Sequence, residues 1–159
     1  MYKIGYSEDI HQLVPNRKLM LGGVHIPFEL GEKAHSDGDV LLHAICESII
    51  GALALGDLGK LFPDNDDKYK DISSEYFLNK VYEMMNELGY EINNIDSSIV
   101  LEKPKLSKYI DEMRNNIARI LHIELNQISI KACTNEGLGE IGEGKAIKAV
   151  AITLLRKVK

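Results

Sequence analysis

Asp9, His11 and His43 are the side chains whose types could do chemistry together. Residues 2–11 alternate in a strand-like way. Asp9 and His11, two positions apart, therefore share a face with Gly5 and Ser7, while Ile4, Tyr6, Glu8 and Ile10 take the other. His43 falls in an apolar helical run that can lie over the first face. Two imidazoles and one carboxylate form a three-ligand set that leaves a tetrahedral zinc ion one open position. Bland readings stand beside this one. A single histidine on an apolar helix is more often a hydrogen-bonded core residue, and Asp-x-His on a strand has many structural uses.

A second cluster is AHSDGD at 34–39, with His35, Ser36 and Asp37 just ahead of a helix start. Free N–H groups there attract phosphate, and capping is the simpler alternative, with Ser36 three residues before Asp39 resembling a capping box. FPDNDD at 62–67 offers three carboxylates within four residues. EF-hand spacing fails, because Lys68 and Tyr69 fall where the calcium loop needs a ligand and a glycine. That leaves a solvated acidic loop or a loop that binds a polyol. Gly137 to Gly142 matches GxGxxG, and Gly139 to Ala146 nearly matches a P-loop. Both motifs require a helix directly after the loop, whereas a β-branched strand follows here, so both are rejected. Lys131 to Glu136 ends a strand with a hydroxyl, an amide and a carboxylate. With Lys103, Pro104 and Lys105 it could frame a nucleotide site, although strand ends are commonly polar.

The elements that must position these residues follow from periodicity. Residues 18–28 read as a second strand or hairpin arm broken at Gly22 and Gly23. A helix over about 39–54 is apolar nearly all round and should be buried. Residues 56–71 form a long polar loop. Helical spacing returns at Leu78, Val81, Met85 and Leu88, with Gly89 as the stop. Residues 95–103 read as a strand, Ile110 to Leu121 as a third helix, and Ile128 and Ile130 as part of a further strand. Ala146 to Leu155 is a β-branched run suited to a central strand. This order predicts an α/β (α+β) sandwich: one domain over 1–159, a four-stranded mixed sheet and helices on one face.

At 159 residues the chain suits one domain with a real core. A net charge of -5 and the lack of a dense Lys/Arg run argue against a nucleic-acid partner. The longest apolar run, near Ile49 to Leu55, is too short to span a membrane. Cys46 and Cys133 fit neither a disulfide framework nor a CxxC pair; Cys46 reads as a core residue. This points to a reducing compartment, the cytoplasm, or a plastid stroma if a transit peptide has been removed.

Taken in order, DIH at 9–11, LGGVHIP at 21–27, AHSDGDVLLHAI at 34–45, ALGDLGKLFPDND at 54–66, PK at 104–105 and KACTNEGLG at 131–139 resemble the 2-C-methyl-D-erythritol 2,4-cyclodiphosphate synthase family of the non-mevalonate isoprenoid pathway. The resemblance covers essentially the whole chain. It implies a homotrimer with active sites between subunits, a lyase that converts 4-diphosphocytidyl-2-C-methyl-D-erythritol 2-phosphate to the cyclic diphosphate plus CMP. It assigns Zn2+ to Asp9, His11 and His43, and a second ion, Mg2+ or Mn2+, to Glu136. His35 and Thr134 take the transition-state-stabilising positions. Substrate contacts carried over by the same motifs are Asp9, His11, His35, Ser36, Asp57, Leu58, Gly59, Phe62, Pro63, Asp64, Asn65 and Asp66 on the methylerythritol side. On the cytidine side, from a neighbouring subunit, they are Leu101, Pro104, Lys105, Leu106, Cys133, Thr134, Asn135 and Glu136.

The chain departs from the family pattern at Glu8 and Glu140, where many members carry Phe, and at Glu143, where they carry Arg. The resemblance places these positions around a threefold-axis cavity that in some members holds an isoprenoid diphosphate. Acidic residues there should repel such a ligand, unless Lys145, raised carboxyl pKa values or a cation offset them. Two other functions share the metal pattern. One is a zinc phosphoester hydrolase using the open metal position to activate water; the other is a trimeric metal-binding scaffold without activity.

Overall fold

The computed structural model describes residues 1–159. Its first strand, β1 (Tyr2–Pro15), shows the alternation expected of it: Gly5 and Ser7 are buried, while Ile4, Tyr6 and Ile10 face outward. β1 pairs antiparallel with the last strand, β7 (Ala146–Lys157), from Tyr2↔Arg156 to Gln12↔Ala146. On its other side β7 pairs antiparallel with β5 (Tyr90–Val100). β5 in turn pairs parallel with β6 (Ile128–Cys133), a pairing that needs a crossover and gets one from the helix between them.

The sheet has five strands rather than four. Leu30–Glu32 (β4) adds to the end of β1, giving the order β4-β1-β7-β5-β6. Three residues are too few to show a period of two, so this strand left no mark in the sequence pattern. The 18–28 segment is a separate hairpin, β2 (Leu19–Leu21) with β3 (Val24–Ile26), turning at Gly22 and Gly23, both with positive φ. β7 lies at the centre of the sheet, as its apolar run predicted, with Ile147, Ala149, Ala151 and Leu155 fully buried.

Three helices form the second layer: α1 (Val40–Ala52), α3 (Glu75–Glu87) and α4 (Ile110–Leu121). Two single-turn helices, α2 (Leu58–Leu61) and α5 (Gly139–Gly142), punctuate the stretches read as loop and turn. α1 runs through the core, and ten of its residues, Cys46 among them, are buried. It lies directly on β1 and β7, where the Ser48 hydroxyl pairs with Thr153 Oγ1 at 2.6 Å. Gly5 permits this approach: a Cβ there would fall 1.7 Å from the Ser48 carbonyl oxygen.

The α1 cap differs from the expected capping box. Asp39 is the N-cap, and its carboxylate accepts from Leu42 N at 3.0 Å. It also accepts from Gly22 N and Gly23 N, tying the hairpin turn to the helix start. Ser36 lies too far back for this. Its Oγ accepts from Gly38 N at 3.2 Å and meets His43 Nε2 at 3.3 Å, so the residue belongs to the site rather than to the cap.

Candidate active site

Asp9 and His11 stand on the helix-facing side of β1, and His43 reaches down to them from α1. His11 Nε2 lies 3.0 Å and His43 Nδ1 3.5 Å from Asp9 Oδ2. One ligand-capable atom from each residue lies within 4.8 Å of the others, the spacing a single ion requires. The other ring nitrogens are committed elsewhere: His11 Nδ1 donates to the Gly38 carbonyl at 2.7 Å, and His43 Nε2 meets Ser74 Oγ at 2.9 Å. Burial opposes ionisation of Asp9, but hydrogen bonds and charge from His11 and His43 outweigh it and hold its carboxyl well below the usual range. Burial likewise disfavours charge on His11, and Asp9 again reverses the balance, raising its pKa. The donor set therefore fits a divalent ion: one anionic oxygen and two imidazole nitrogens, oriented from behind.

These three residues form one wall of a cavity of about 320 Å³. Of the residues expected on the methylerythritol side, the same cavity gathers His35, Ser36, Leu58, Gly59, Phe62 and Asp64. Asp57, Pro63, Asn65 and Asp66 lie off its wall and act on the backbone or stand beside it. The Asp57 carboxylate caps α2 by accepting from Lys60 N at 2.8 Å, and that of Asp66 accepts from Lys68 N at 3.1 Å. His35 Nε2 donates to the Asp66 carbonyl at 2.9 Å, which joins the 34–36 and 62–67 segments. Sequence reasoning missed Lys33, Glu47, Tyr69 and Phe77 in the lining. Glu47 had a usable signal, since it follows His43 by one helical turn. Its carboxylate accepts from Ser7 Oγ at 3.0 Å.

A second cavity, of about 290 Å³, opens where the parallel strands β5 and β6 end side by side. Leu101, Pro104, Lys105, Leu106, Cys133 and Thr134 line it, with Glu102 and Ser107 from the same expected stretch and Ile110 and Ala132 from outside it. Asn135 and Glu136 stand just outside. The 135–137 turn is anchored by Glu102, whose Oε1 accepts from Asn135 N at 2.7 Å and from Gly137 N at 3.3 Å. Glu136 sits at positive φ in that turn. The two cavities share no lining residue, so within one chain the metal-side and cytidine-side groups remain apart.

Residues 2–156 match the family model described as the YgbB family. The chain belongs to the YgbB family. It is 56% identical over 155 residues to the 2-C-methyl-D-erythritol 2,4-cyclodiphosphate synthase of Finegoldia magna, covering 98% of each chain. To the enzyme of the same name from Brachyspira hyodysenteriae it is 53% identical over 157 residues, covering 99% of each. Among solved structures, the IspF of Plasmodium falciparum in complex with CDP is 37% identical, with a TM-score of 0.88 over 99% of this chain and 97% of that one. The bifunctional IspDF from Campylobacter jejuni gives a TM-score of 0.95 at 39% identity; this chain is spanned over 99% of its length and corresponds to 42% of that protein.

In this YgbB-family chain the three acidic departures are mostly paired. Glu8 forms an ion pair with Lys148 and accepts from Tyr6 Oη at 2.6 Å, and Glu143 pairs with Lys145 at 2.8 Å. No helix is long and apolar enough to cross a membrane.

Proposed function

We propose that this chain catalyses metal-dependent closure of 4-diphosphocytidyl-2-C-methyl-D-erythritol 2-phosphate to 2-C-methyl-D-erythritol 2,4-cyclodiphosphate, releasing CMP, in non-mevalonate isoprenoid synthesis. The observation that carries the reading is the Asp9–His11–His43 group opening into a cavity with His35, Ser36, Gly59 and Asp64, in a chain of this family. An oxygen of the substrate's 2-phosphate forms a bond to the β-phosphorus. The bond from that phosphorus to the bridging oxygen breaks, and its electron pair leaves with CMP. The attacking phosphate is already anionic at neutral pH, so the chain need supply no general base. Its task is to fold the substrate back on itself against charge repulsion.

The residues divide that task. His35, held by the Asp66 carbonyl, would contact the reacting phosphates, with Ser36 beside it. Phe62 and Asp64 would hold the methylerythritol carbons and hydroxyls. Lys105 and Thr134 would contact the leaving nucleotide, whose ring would rest among Leu101, Pro104, Leu106 and Cys133. Fixing both ends supplies orientation, worth up to roughly 7–11 kcal/mol in favourable cases. Asp9, His11 and His43 would hold zinc, and Glu136 a magnesium or manganese ion; bound there, the metals supply Lewis acidity and neutralise phosphate charge.

Completing the site requires the cytidine cavity of one copy to meet the metal cavity of another, within a homotrimer. The separation of the two cavities supports this, as does the uncovered apolar face of β1, with Tyr2, Ile4, Tyr6 and Ile10 exposed. The test is to incubate the purified protein with the cytidyl substrate, with and without chelator. Cyclic diphosphate plus CMP, lost on chelation, is expected. Linear phosphates would identify a zinc phosphoester hydrolase instead, and absence of turnover would leave a metal-binding scaffold.

A further inference from the structure

Ser74 and Asp37 do not line the metal cavity, yet both act on its histidine. Ser74 is completely buried at the N-cap position of α3, but its side chain makes no capping bond to that helix. Its Oγ lies instead 2.9 Å from His43 Nε2 and is hydrogen-bonded to Asp37 Oδ1. Asp37 is itself fixed, accepting from Ser74 N at 3.1 Å and from Asp39 N at 3.1 Å.

The proton count follows from donor chemistry. An ionised carboxylate only accepts, so Ser74 gives its one hydroxyl proton to Asp37. Toward His43 the Ser74 oxygen, at 2.9 Å the nearer of the two hydroxyls at Nε2, is then an acceptor that calls for the ring proton there; Ser36 Oγ lies farther, at 3.3 Å. That leaves Nδ1, 3.5 Å from Asp9, as the nitrogen able to give its lone pair to an ion. His11 is set the opposite way, because its Nδ1 donates to the Gly38 carbonyl and leaves Nε2, 3.0 Å from Asp9, facing the same point. With an ion in place of the protons shared with Asp9, opposite tautomers on the two histidines would direct two lone pairs to it.

We propose that the Asp37–Ser74 pair positions the metal, by holding His43 as the Nε2–H tautomer so that Nδ1 serves as ligand to a divalent transition-metal ion. This rests on the metal-site reading above. Ser74 and Asp37 are positioning residues, since neither would touch the ion or the substrate.

The test titrates metal-free full-length protein with zinc against a chromophoric chelator, and with cobalt followed by its visible spectrum. Removing such an orienting partner costs about 10- to 100-fold in affinity, so Ser74→Ala should bind zinc that much more weakly, with an altered cobalt spectrum. Ser74→Thr keeps the hydroxyl and should restore both. Equal zinc affinity and an unchanged cobalt spectrum in Ser74→Ala would overturn the proposal. Should that variant fail to fold, Asp37→Ala, which removes the acceptor of the Ser74 proton, is decisive: weaker zinc binding supports the relay, and unchanged affinity overturns it. Wild-type protein that binds no ion, or a His43→Ala variant that binds as tightly as wild type, would overturn the metal-site reading itself.

Discussion

His43 bears the most demanding placement of any side chain in the molecule. It is the proposed ligand carried by the core helix, with Nδ1 3.5 Å from Asp9 and Nε2 buried against Ser74. His43→Ala should lose stoichiometric zinc, read by elemental analysis, and turnover with it; retained metal at full occupancy would exclude it as a ligand. A different residue sets the pH response. Burial first, and the Asp39 carboxylate second, raise the Glu32 carboxyl to about 9, and its Oε1 has no partner. From the ordinary carboxyl range up to about 9, the folded chain keeps a proton that the unfolded chain releases. Stability must therefore fall as pH rises through that window. Glu32→Gln removes this term, and urea midpoints at pH 5 and pH 8 should lie closer together than in wild type. Asp39, raised to about 7 chiefly by burial, adds a slope of the same sign in both proteins. Residues of this kind were the least legible. Asp9 and His11 could be paired from a period of two, but Ser74 meets His43 from 31 positions away, and nothing local marks it.

At the scale of elements, legibility followed length. α1, α3, α4 and β7 repeat their period often enough to be read, and their observed bounds lie within a few residues of expectation. β4 spans three residues and cannot show a period; the hairpin arms are as short, and the break at Gly22 and Gly23 is what marks them. α2 and α5 are single turns, too short for a period; Asp57 caps α2, and α5 has no side-chain cap. The Ser36 cap failed for a tertiary reason, since Asp39 both caps α1 and satisfies the N–H groups of Gly22 and Gly23. The approach of α1 to β1 is the contact that seats His43 over Asp9 and His11. Gly5→Ala places a methyl against the Ser48 carbonyl, where neither backbone can yield. A loss of about 3 kcal/mol, at the upper end of overpacking costs, is expected in urea denaturation, together with weaker zinc binding. A loss below roughly 1 kcal/mol would mean the layers slide apart without strain.

At the scale of the whole molecule, the unfinished surfaces decide the argument. Tyr2, Ile4, Tyr6 and Ile10 on β1, with Ile152 on β7, leave the outer side of the sheet apolar and open. Sedimentation equilibrium should give the mass of three chains; a monomer at micromolar concentration would remove the between-subunit site. The same face carries Glu8, which in a trimer of the expected kind looks into the axial cavity with Glu140 and Glu143. The structure alters the charge count behind that expectation. Lys148 and Lys145 offset Glu8 and Glu143, so each chain contributes about one unbalanced negative charge rather than three. Neutralisation does not make the cavity receptive, however. Each lysine ammonium keeps N–H groups to donate, but a carboxylate already sits against it, and Glu8 also takes the Tyr6 hydroxyl. An anion bound there would lie beside these carboxylates and be repelled by them. Farnesyl diphosphate should therefore give no heat in calorimetry and no mass shift in native spectra at micromolar concentration. Glu8→Gln combined with Glu143→Gln frees both lysines and should restore weak, salt-sensitive binding. Micromolar binding to the wild-type trimer would show that the pairs open, and that the acidic positions do not guard the axis.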